Sequence, residues 1–301
     1  MTTQTLGRFI RRVVGNGRQV RTIEFSHAGR EYECLVPEDS LWGAVKDNLI
    51  LSEYERANVQ INSLRRVVVD AGAHVGLFSL RIAPFTQQVV ALEPHPRNFS
   101  MLKQNLERNG VTNVEALRLA LWTSADRLDL TEGSDSGGSS LTEAGLGHYR
   151  TSTTTLRDLL NWYGHVDLLK LDIEGAEFPV LLEAEDSVVR EIDTIVVELH
   201  VSGREGKADL LSQRLTGLGF KTDVLGPPLM SWSDGVPRII RTWRSIKGLK
   251  KLKLASLGVY AVVPLAPSSI RRRFIEAGKL AFLYGVQGVV APNRPAEDSR
   301  Q

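Results

Sequence analysis

At 301 residues, the chain has room for one large domain, or for one domain with modest extensions. A composition of 42% hydrophobic and 24% charged residues, with a net charge of +2, is ordinary for a globular protein and excludes a largely disordered chain. A single cysteine, Cys34, excludes an internal disulfide framework, and no run approaches the ~20 apolar residues of a spanning helix. No apolar run typical of a signal peptide follows the N-terminal arginines, so we expect a cytoplasmic protein.

Residues 1–60 are predicted to form an N-terminal extension. Two strands, Arg21–Phe25 and Glu31–Val36, flank a turn that contains Gly29. Apolar residues then recur at helical spacing from Leu41 to about Val59.

Strands and helices alternate from Arg65 onwards. The predicted strands are short apolar runs: 67–69, 89–92, 114–119, 166–171, 194–199, 220–225 and 259–264. The first predicted helix between them ends at about Ala83. The other predicted helices span 97–109, 156–163, 176–184 and 207–218, and a Gly/Ser-rich loop covers 131–140.

This alternation predicts an α/β fold with a mainly parallel, seven-stranded sheet and helices on both faces, over residues 61–265. Residues 266–301 are predicted to form a C-terminal helix and a disordered tail. Because parallel strands end at one edge of the sheet, polar residues that follow the strands are expected to share a ligand site.

The first polar cluster is the turn Asp70-x-Gly72-x-x-x-Gly76, where a strand leads into a helix. Glycine allows close backbone approach to a ligand, and a helix N-terminus is expected to offer N–H groups. Glu93 ends the next strand, where a carboxylate can accept hydrogen bonds from ribose hydroxyls. Together they predict nucleoside binding; the alternative is a tight turn beside an incidental acid.

The spacing in this turn favours S-adenosylmethionine over a dinucleotide. The dinucleotide fingerprint is Gly-x-Gly-x-x-Gly, and His74 stands where it requires glycine. Asp70 would repel a pyrophosphate but suits an ammonium, which S-adenosylmethionine carries. We therefore predict S-adenosyl-L-methionine as the cofactor.

Further polar residues follow the fourth and fifth predicted strands. Asp172 and Glu174 could orient the methyl group, bind a substrate hydroxyl or hold a metal, although acids at a helix start are also merely stabilising. Glu198 and His200 end the fifth strand, and a histidine there suits a general base or a solvated loop. These four residues are the candidate catalytic residues. No Cys/His spacing predicts a zinc site.

Four motifs together resemble the FkbM-type methyltransferases: VVDAGAHVG, LEPHP, LLKLDIEGAE and VVELH, in this order over about 65–225. Those proteins are class I S-adenosylmethionine enzymes with a Rossmann-like fold, and they typically O-methylate sugars or natural products. The LLKLDIEGAE block is the most specific part, since generic class I methyltransferases lack it. Tyr54-Glu55 resembles a Tyr/Phe-Glu pair that precedes the fold in this family.

The resemblance implies a cofactor site. Asp70, Gly72 and Gly76 would line the methionine end, Glu93 the ribose, and Ala120 the region near the adenine. Ala73 and Pro94, next to these residues, complete the predicted cofactor-binding set. One departure is that Arg157 stands where the family usually has aspartate.

The sequence thus predicts an S-adenosylmethionine-dependent methyltransferase that acts on a hydroxyl of a sugar, glycolipid or natural product. Three alternatives stay open. An NAD(P)-dependent oxidoreductase or epimerase lacks its glycine loop and Tyr-x-x-x-Lys pair, and a nucleic-acid methyltransferase lacks an Asn-Pro-Pro-Tyr motif. A non-catalytic binding module is the third.

The charge is unevenly distributed along the chain. Ten basic and no acidic residues lie between Arg238 and Arg273, which leaves 27 basic and 35 acidic residues, or −8, elsewhere. Within this span, residues 243–254 interleave apolar and basic side chains at roughly helical spacing. Such a segment packs on its own domain or binds an anionic surface such as the inner face of a membrane, and nucleic acid is the less favoured partner.

Overall fold

The computed structural model describes residues 12–15, 18–50, 54, 62–131, 140–142, 149–200, 207–225 and 286–292. These residues fall into two compact units, of which the second runs from Tyr54 to Leu225 and takes in Gln287 onwards. The predicted strand over 259–264 lies outside the described residues. The span with ten basic residues from Arg238 to Arg273, called the basic segment below, lies outside them as well. No helix among the described residues is long and apolar enough to cross a membrane.

The first unit is an antiparallel sheet followed by a short helical segment. Its strands are β1 (Arg12–Gly15), β2 (Arg18–His27) and β3 (Arg30–Pro37), and the helical segment is α1 (Leu41–Val45) continued by a π-helix (Lys46–Ile50). Ala28 and Gly29 have φ of 51° and 74°, as a two-residue hairpin turn requires. The predicted hairpin is confirmed, whereas the helix predicted to Val59 is described only to residue 50.

The second unit alternates strands and helices. Its strands are β4 (Arg65–Ala71), β5 (Thr86–Leu92), β6 (Val114–Leu117), β7 (Leu119–Leu121), β8 (Arg127–Thr131), β9 (Ser140–Thr142), β10 (Tyr149–Thr154), β11 (Leu168–Leu171), β12 (Thr194–His200), β13 (Asp223–Leu225) and β14 (Val286–Pro292). Its helices are α2 (Leu77–Ile82), α3 (Pro96–Arg108), α4 (Leu156–Tyr163), α5 (Glu177–Glu183), α6 (Asp186–Arg190) and α7 (Lys207–Gly217), and a 3-10 turn (Ala83–Phe85) follows α2.

The main sheet has the order β13-β14-β12-β11-β4-β5-β6. The pairs β12–β11, β11–β4, β4–β5 and β5–β6 are parallel, and β13–β14 is antiparallel. The mainly parallel α/β sheet with helices is therefore confirmed. β14 was not predicted.

A second, four-stranded sheet has the order β7-β10-β8-β9 and was not predicted from the sequence. The strand predicted over 114–119 is in fact two strands, because β6 ends at Leu117 in the main sheet and β7 pairs with β10 in the second sheet. β10 has the sequence YRTSTT, whose polar side chains give little apolar signal.

Helix α4 shows how the chain accommodates Arg157. Thr155 accepts the Asp158 N–H through its side chain, and the Asp158 carboxylate accepts the Thr155 N–H at 3.0 Å, which is a capping box. Asp158 therefore caps the helix, and Arg157 pairs with Glu185 instead.

The two faces of the main sheet are covered differently. Val69, Ala71, Leu169 and Leu171 face a large core with the helices α4 to α7. On the other face, residues of the strands pack with Tyr54 and with two residues of α2 in a smaller core. Its members are Tyr54, Val68, Phe78, Ile82, Val89, Leu168 and Val196. By strand alternation, Asp70, Lys170 and Glu198 lie on this second face, just beyond the smaller core.

Candidate active site

The turn after β4 requires glycine for packing. Gly72 has φ of 78°, and a Cβ there would lie 1.7 Å from the carbonyl oxygen of Asp172. Gly76 has φ of 86°, and its Cβ would lie 2.5 Å from Leu102 Cδ1. The two glycines therefore let this turn contact the loop after β11 and helix α3 closely.

The N–H groups of this turn bond within the protein. Gly72 and Ala73 donate to the carbonyl of Leu92 at 3.0 and 2.9 Å, and Gly76 donates to Ala73 at 2.8 Å. His74, with φ of 52°, donates to Glu93 Oε2 at 2.7 Å. These four N–H groups of the turn are therefore used within the protein, whereas the expectation for the N–H groups at the start of the following helix, α2, stays a prediction.

Glu93 connects two turns through its carboxylate. Oε2 accepts the His74 N–H, and Oε1 accepts the His95 N–H at 2.9 Å, just after Pro94. Burial raises the pKa of Glu93 to about 8, against the opposing effect of these two N–H donors and of Lys170. Since each carboxylate oxygen has a second lone pair, both can still accept a ribose hydroxyl. The ribose role of Glu93 stays a prediction.

Lys170 is a buried ammonium that lies close to three oxygen atoms. Its Nζ lies 3.1 Å from Asp70 Oδ1, 3.4 Å from Asp172 Oδ2 and 2.9 Å from the carbonyl oxygen of Gly72. Burial by itself lowers the pKa of Lys170, but Asp70, Asp172 and Glu198 outweigh it, so the pKa is raised. Lys170 was not among the candidate site residues.

Asp70 is fully buried by these contacts. Its second oxygen, Oδ2, accepts the Ser79 hydroxyl at 2.6 Å. The ammonium that Asp70 holds in the structure is therefore that of Lys170. A role for Asp70 toward the ammonium of a ligand stays a prediction.

The hydroxyl of Tyr54 connects two acids: Asp172, which follows β11, and Glu198, which lies near the end of β12. Its hydroxyl lies 2.8 Å from Asp172 Oδ2 and 2.8 Å from Glu198 Oε2. The ring is buried, packs edge-on against Phe78 at 5.5 Å and lies 4.9 Å from Lys170 Nζ. The structure thus brings together two of the four candidate catalytic residues, and the side chain of Asp172 remains 25% exposed.

The loop that follows Asp172 is conformationally constrained. Glu174 has φ of 53°, which is unusual for a residue other than glycine and is found mostly where tertiary structure imposes it. Glu177 is fully buried and accepts the Ile173 N–H at 2.9 Å, so it holds the start of α5. Glu177 is therefore an acid of the first helical turn with a structural role.

The remaining predicted residues lie at the same edge or beside it. Ala73 is buried in the turn after β4, and His200 is the last residue of β12. Ala120 is buried in β7, in the second sheet. Its place near an adenine stays a prediction.

A separate polar cluster lies at the opposite edge, before β11 and β12. His165, Asp167 and Asp193 have ligand atoms within 4.8 Å of one another, a spacing that could hold a metal ion. His165 Nε2 is 2.8 Å from Asp193 Oδ2, and Asp167 accepts the N–H groups of Arg66 and Val67. These bonds already connect the loops that precede β11 and β12 with the beginning of β4.

The mainly parallel sheet with its helices is a Rossmann-like α/β fold, and its acidic residues gather at the edge where β4, β11 and β12 end. Residues 70–222 match the model of the Methyltransferase FkbM domain, and the chain belongs to this family.

The chain also matches three curated proteins. The chain is 29% identical to Methyltransferase 1 of Beauveria bassiana over an alignment of 158 residues, and the match covers 44% of this chain and 64% of that protein. It is 30% identical to Methyltransferase sdnD of Sordaria araneosa, with 48% of this chain and 69% of that protein covered. It is also 27% identical to the AMB antimetabolite synthetase AmbE of Pseudomonas aeruginosa, over 56% of this chain and 10% of that protein. The chain thus spans less than two thirds of the Beauveria protein.

Among solved structures, a methyltransferase FkbM from Methylobacillus flagellatus KT has a TM-score of 0.43 at 16% identity, covering 57% of this chain and 43% of that chain. A precorrin-6y C5,15-methyltransferase from Geobacter metallireducens has a TM-score of 0.37 at 15% identity, covering 60% and 73%. At these scores the likeness adds nothing to the family assignment.

Proposed function

We propose that the protein transfers a methyl group from S-adenosylmethionine to a hydroxyl of a small-molecule or glycan acceptor. The observation that supports this most directly is the pair of acids, Asp172 and Glu198, held by Tyr54 where β11 and β12 end. A partly exposed carboxylate at this edge is the kind of group that accepts a proton from a hydroxyl.

The charge of this edge suits the proposed cofactor. Asp70, Asp172 and Glu198 face the cation Lys170, and Glu93 stands at the end of the neighbouring strand. Such an edge attracts a ligand whose reacting centre is a cation, because opposite charges attract strongly where water is excluded. When bound, S-adenosylmethionine supplies an already activated methyl group, so the protein contributes mainly orientation and proximity.

The residues of this chain then have distinct proposed roles. Glu93 accepts the ribose hydroxyls, and Gly72 allows the turn to lie against the Asp172 loop. Asp172, Glu174, Glu198 and His200 are the candidates that orient the acceptor or take its proton. The name of one relative, an antimetabolite synthetase, is compatible with a natural-product acceptor.

Binding calorimetry tests the cofactor. S-adenosylhomocysteine, which keeps the nucleoside and amino-acid parts of the cofactor, should bind the full-length protein, and NAD should give no heat of binding. Glu107→Gln, an exposed substitution on α3, is the matched control and should bind like the wild type. Binding of NAD without binding of S-adenosylhomocysteine would contradict the proposal and favour an oxidoreductase.

Methyl transfer itself is tested with S-adenosylmethionine that carries an isotope-labelled methyl group. Sugars, a lipid-linked glycan and hydroxylated natural products are offered as acceptors, and the product is treated with base. A methyl ether survives this treatment, whereas a methyl ester is hydrolysed. Label recovered only in base-labile products would contradict transfer to a hydroxyl.

A further inference from the structure

Three polar side chains meet at the edge of the main sheet that lies opposite the candidate active site. One ligand atom from each of His165, Asp167 and Asp193 lies within 4.8 Å of the other two. None of these residues belongs to the candidate active site. An imidazole with two carboxylates is a ligand set that suits Zn²⁺ and related divalent transition ions.

Backbone pairing places two of these side chains next to each other. Val166 forms a parallel bridge with Ile192: its N–H donates to the carbonyl of Glu191 at 3.3 Å, and its carbonyl accepts the Asp193 N–H at 3.0 Å. The residues on either side of Val166 therefore lie beside the residues on either side of Ile192. Because the backbone fixes this arrangement, a bound ion would not have to order the two loops itself.

Asp167 is held on its other side by β4. Its N–H donates to the carbonyl of Val67 at 3.0 Å, and its Oδ2 accepts the N–H groups of Arg66 and Val67 at 3.1 and 2.7 Å. Both bonds to the side chain are made by Oδ2, and a carboxylate has further lone pairs that it can offer to a cation. Asp167 is thus an oriented acid that can still bind an ion.

The distances in this cluster are close to those around a zinc ion. Zn²⁺ bonds to nitrogen and oxygen at about 2.0–2.2 Å, so neighbouring ligand atoms are about 3.0–3.4 Å apart. His165 Nε2 lies 2.8 Å from Asp193 Oδ2, so these two atoms have to separate by roughly 0.2–0.6 Å. The most distant atom has to approach by roughly 1.4 Å at most, which rotation of the partly exposed side chains of His165 and Asp193 allows.

Glu191 stands where it favours the tautomer that a metal ligand needs. Its Oε2 lies 3.9 Å from the other ring nitrogen of His165, Nδ1, and its side chain is 64% exposed and free to approach further. Histidines that bind metals through Nε2 commonly direct the N–H of Nδ1 to a carboxylate. With its proton on Nδ1, the neutral imidazole of His165 keeps a lone pair on Nε2 for an ion.

The charges around the cluster also suit a divalent cation. Asp167, Glu191 and Asp193 supply three carboxylates. Arg65 acts on this group from β4: burial lowers the pKa of Arg65, and the charge of Asp167 partly offsets that effect. The carboxylates outnumber this guanidinium, and a divalent cation would relieve the repulsion between them.

We propose that His165 Nε2 and one oxygen each of Asp167 and Asp193 bind a Zn²⁺ ion, with water completing its coordination. The ion joins the loops that precede β11 and β12, and Asp167 extends the connection to β4. Its role is structural, because it lies at the edge opposite the candidate active site. Mg²⁺ and Ca²⁺ bind mainly through oxygen, so the imidazole disfavours them.

Calorimetry with zinc chloride tests the site in the full-length protein, after EDTA treatment and dialysis. His165→Gln and Asp193→Asn are the test variants, because each keeps a side chain of similar size that can still form a hydrogen bond. Asp167 is left intact because it also holds the backbone of β4. The wild type should bind one Zn²⁺ at this site, and each variant should bind it at least about tenfold more weakly.

Two matched variants serve as controls for the calorimetry. His27→Gln removes a histidine at the end of β2, and Asp209→Asn removes an exposed aspartate of α7. Both should bind Zn²⁺ like the wild type. A wild-type protein that does not bind Zn²⁺, or a test variant that binds it with undiminished affinity, would overturn the proposal.

X-ray absorption spectroscopy of the zinc-loaded wild type identifies the ligands. The spectrum should show one imidazole and otherwise oxygen ligands at about 2.0–2.2 Å. A sulfur ligand at about 2.3 Å would place the ion on Cys34, and two or more imidazoles would place it on other histidines. Either result contradicts the proposal.

Thermal unfolding tests whether the ion is structural. Zn²⁺ should raise the Tm of the wild type, because only the folded chain brings Asp167 and Asp193 together, and EDTA should reverse the rise. Mg²⁺ at the same concentration should leave the Tm unchanged, and Zn²⁺ should not raise the Tm of His165→Gln. An equal rise in the wild type and in His165→Gln would mean that the ion binds elsewhere, which would refute the site.

Discussion

Glu93 illustrates how a single buried acid can couple ligand binding to pH. Two backbone N–H groups favour its ionised form, but burial is the larger effect and raises its pKa from 4.5 to about 8. At pH 7 the ligand-free protein therefore carries a proton on Glu93 in most molecules. Ribose hydroxyls that donate to this carboxylate favour the ionised form and lower its pKa again.

We therefore predict that S-adenosylhomocysteine binding at pH 7 releases up to one proton, and that the release falls to about half near pH 8 and disappears only well above it, where Glu93 is fully ionised. Calorimetry in two buffers with different ionisation enthalpies measures the number of protons released. Glu93→Gln should abolish the release and weaken binding by about 2–4 kcal/mol, for two hydrogen bonds to a charged group with partial solvation.

The control for this measurement is Glu107→Gln, which should release as many protons as the wild type. Because Glu93 also accepts two backbone N–H groups, Glu93→Gln must first be shown to unfold cooperatively. Unchanged affinity and proton release in a folded Glu93→Gln protein would contradict the ribose role.

At the scale of the structural elements, the close contact between two loops depends on Gly72. An alanine there would be strained at φ of 78°, and its Cβ would overlap the backbone carbonyl of Asp172. Gly219 is a matched control, because it has φ of 97° and a Cβ added there would meet nothing within 4 Å.

We predict that Gly219→Ala costs about 1–2 kcal/mol of unfolding free energy, from strain alone. Gly72→Ala should cost about 1–3 kcal/mol more, because the overlap forces the backbone to shift. Urea denaturation of both variants measures the difference. Equal losses would mean that the turn after β4 and the Asp172 loop are not in rigid contact.

The sequence predicted the central strands because each is a short apolar run closed by a polar residue. The same pattern identified Glu93, Asp172 and Glu198. It could not identify Lys170, which lies inside a strand between two leucines and is compensated by Asp70 from a neighbouring strand and by Asp172 from the loop that follows its own strand. Tyr54 is separated from its partners by more than 100 residues, so no local pattern connects them.

The second sheet escaped prediction for a related reason. Its strands β8 and β10 pair in register with polar side chains such as Asp129 and Ser152, so neither shows a long apolar run. The break between β6 and β7 at Arg118 depends on which sheet each half joins. That choice follows from tertiary pairing and is not encoded in the local sequence.

At the scale of the whole molecule, charge is separated along the chain. The ten basic residues between Arg238 and Arg273 accompany an excess of eight acidic residues elsewhere, counted as 35 acidic and 27 basic. Part of that excess lies at the ligand edge, in Asp70, Asp172 and Glu198. A polyanionic surface would therefore bind through the basic segment rather than through the acidic edge.

We predict that the protein binds anionic lipid vesicles through residues 238–254, as a proposal for how a lipid-linked acceptor would be reached. Each surface Lys or Arg contributes about 1 kcal/mol at an anionic leaflet. Co-sedimentation should require anionic lipid and weaken with salt, because the Debye length shortens from ~10 Å at 0.1 M to ~3 Å at 1 M.

A variant with four lysines of the segment replaced by glutamine should no longer bind; the four are Lys247, Lys250, Lys251 and Lys253. A control variant with the same number of glutamine substitutions elsewhere, including Lys103 and Arg108 on α3, should still bind. Competition by DNA at equal charge would indicate a general polyanion site. A protein that ignores anionic vesicles even at low salt would show that the segment packs on its own domain.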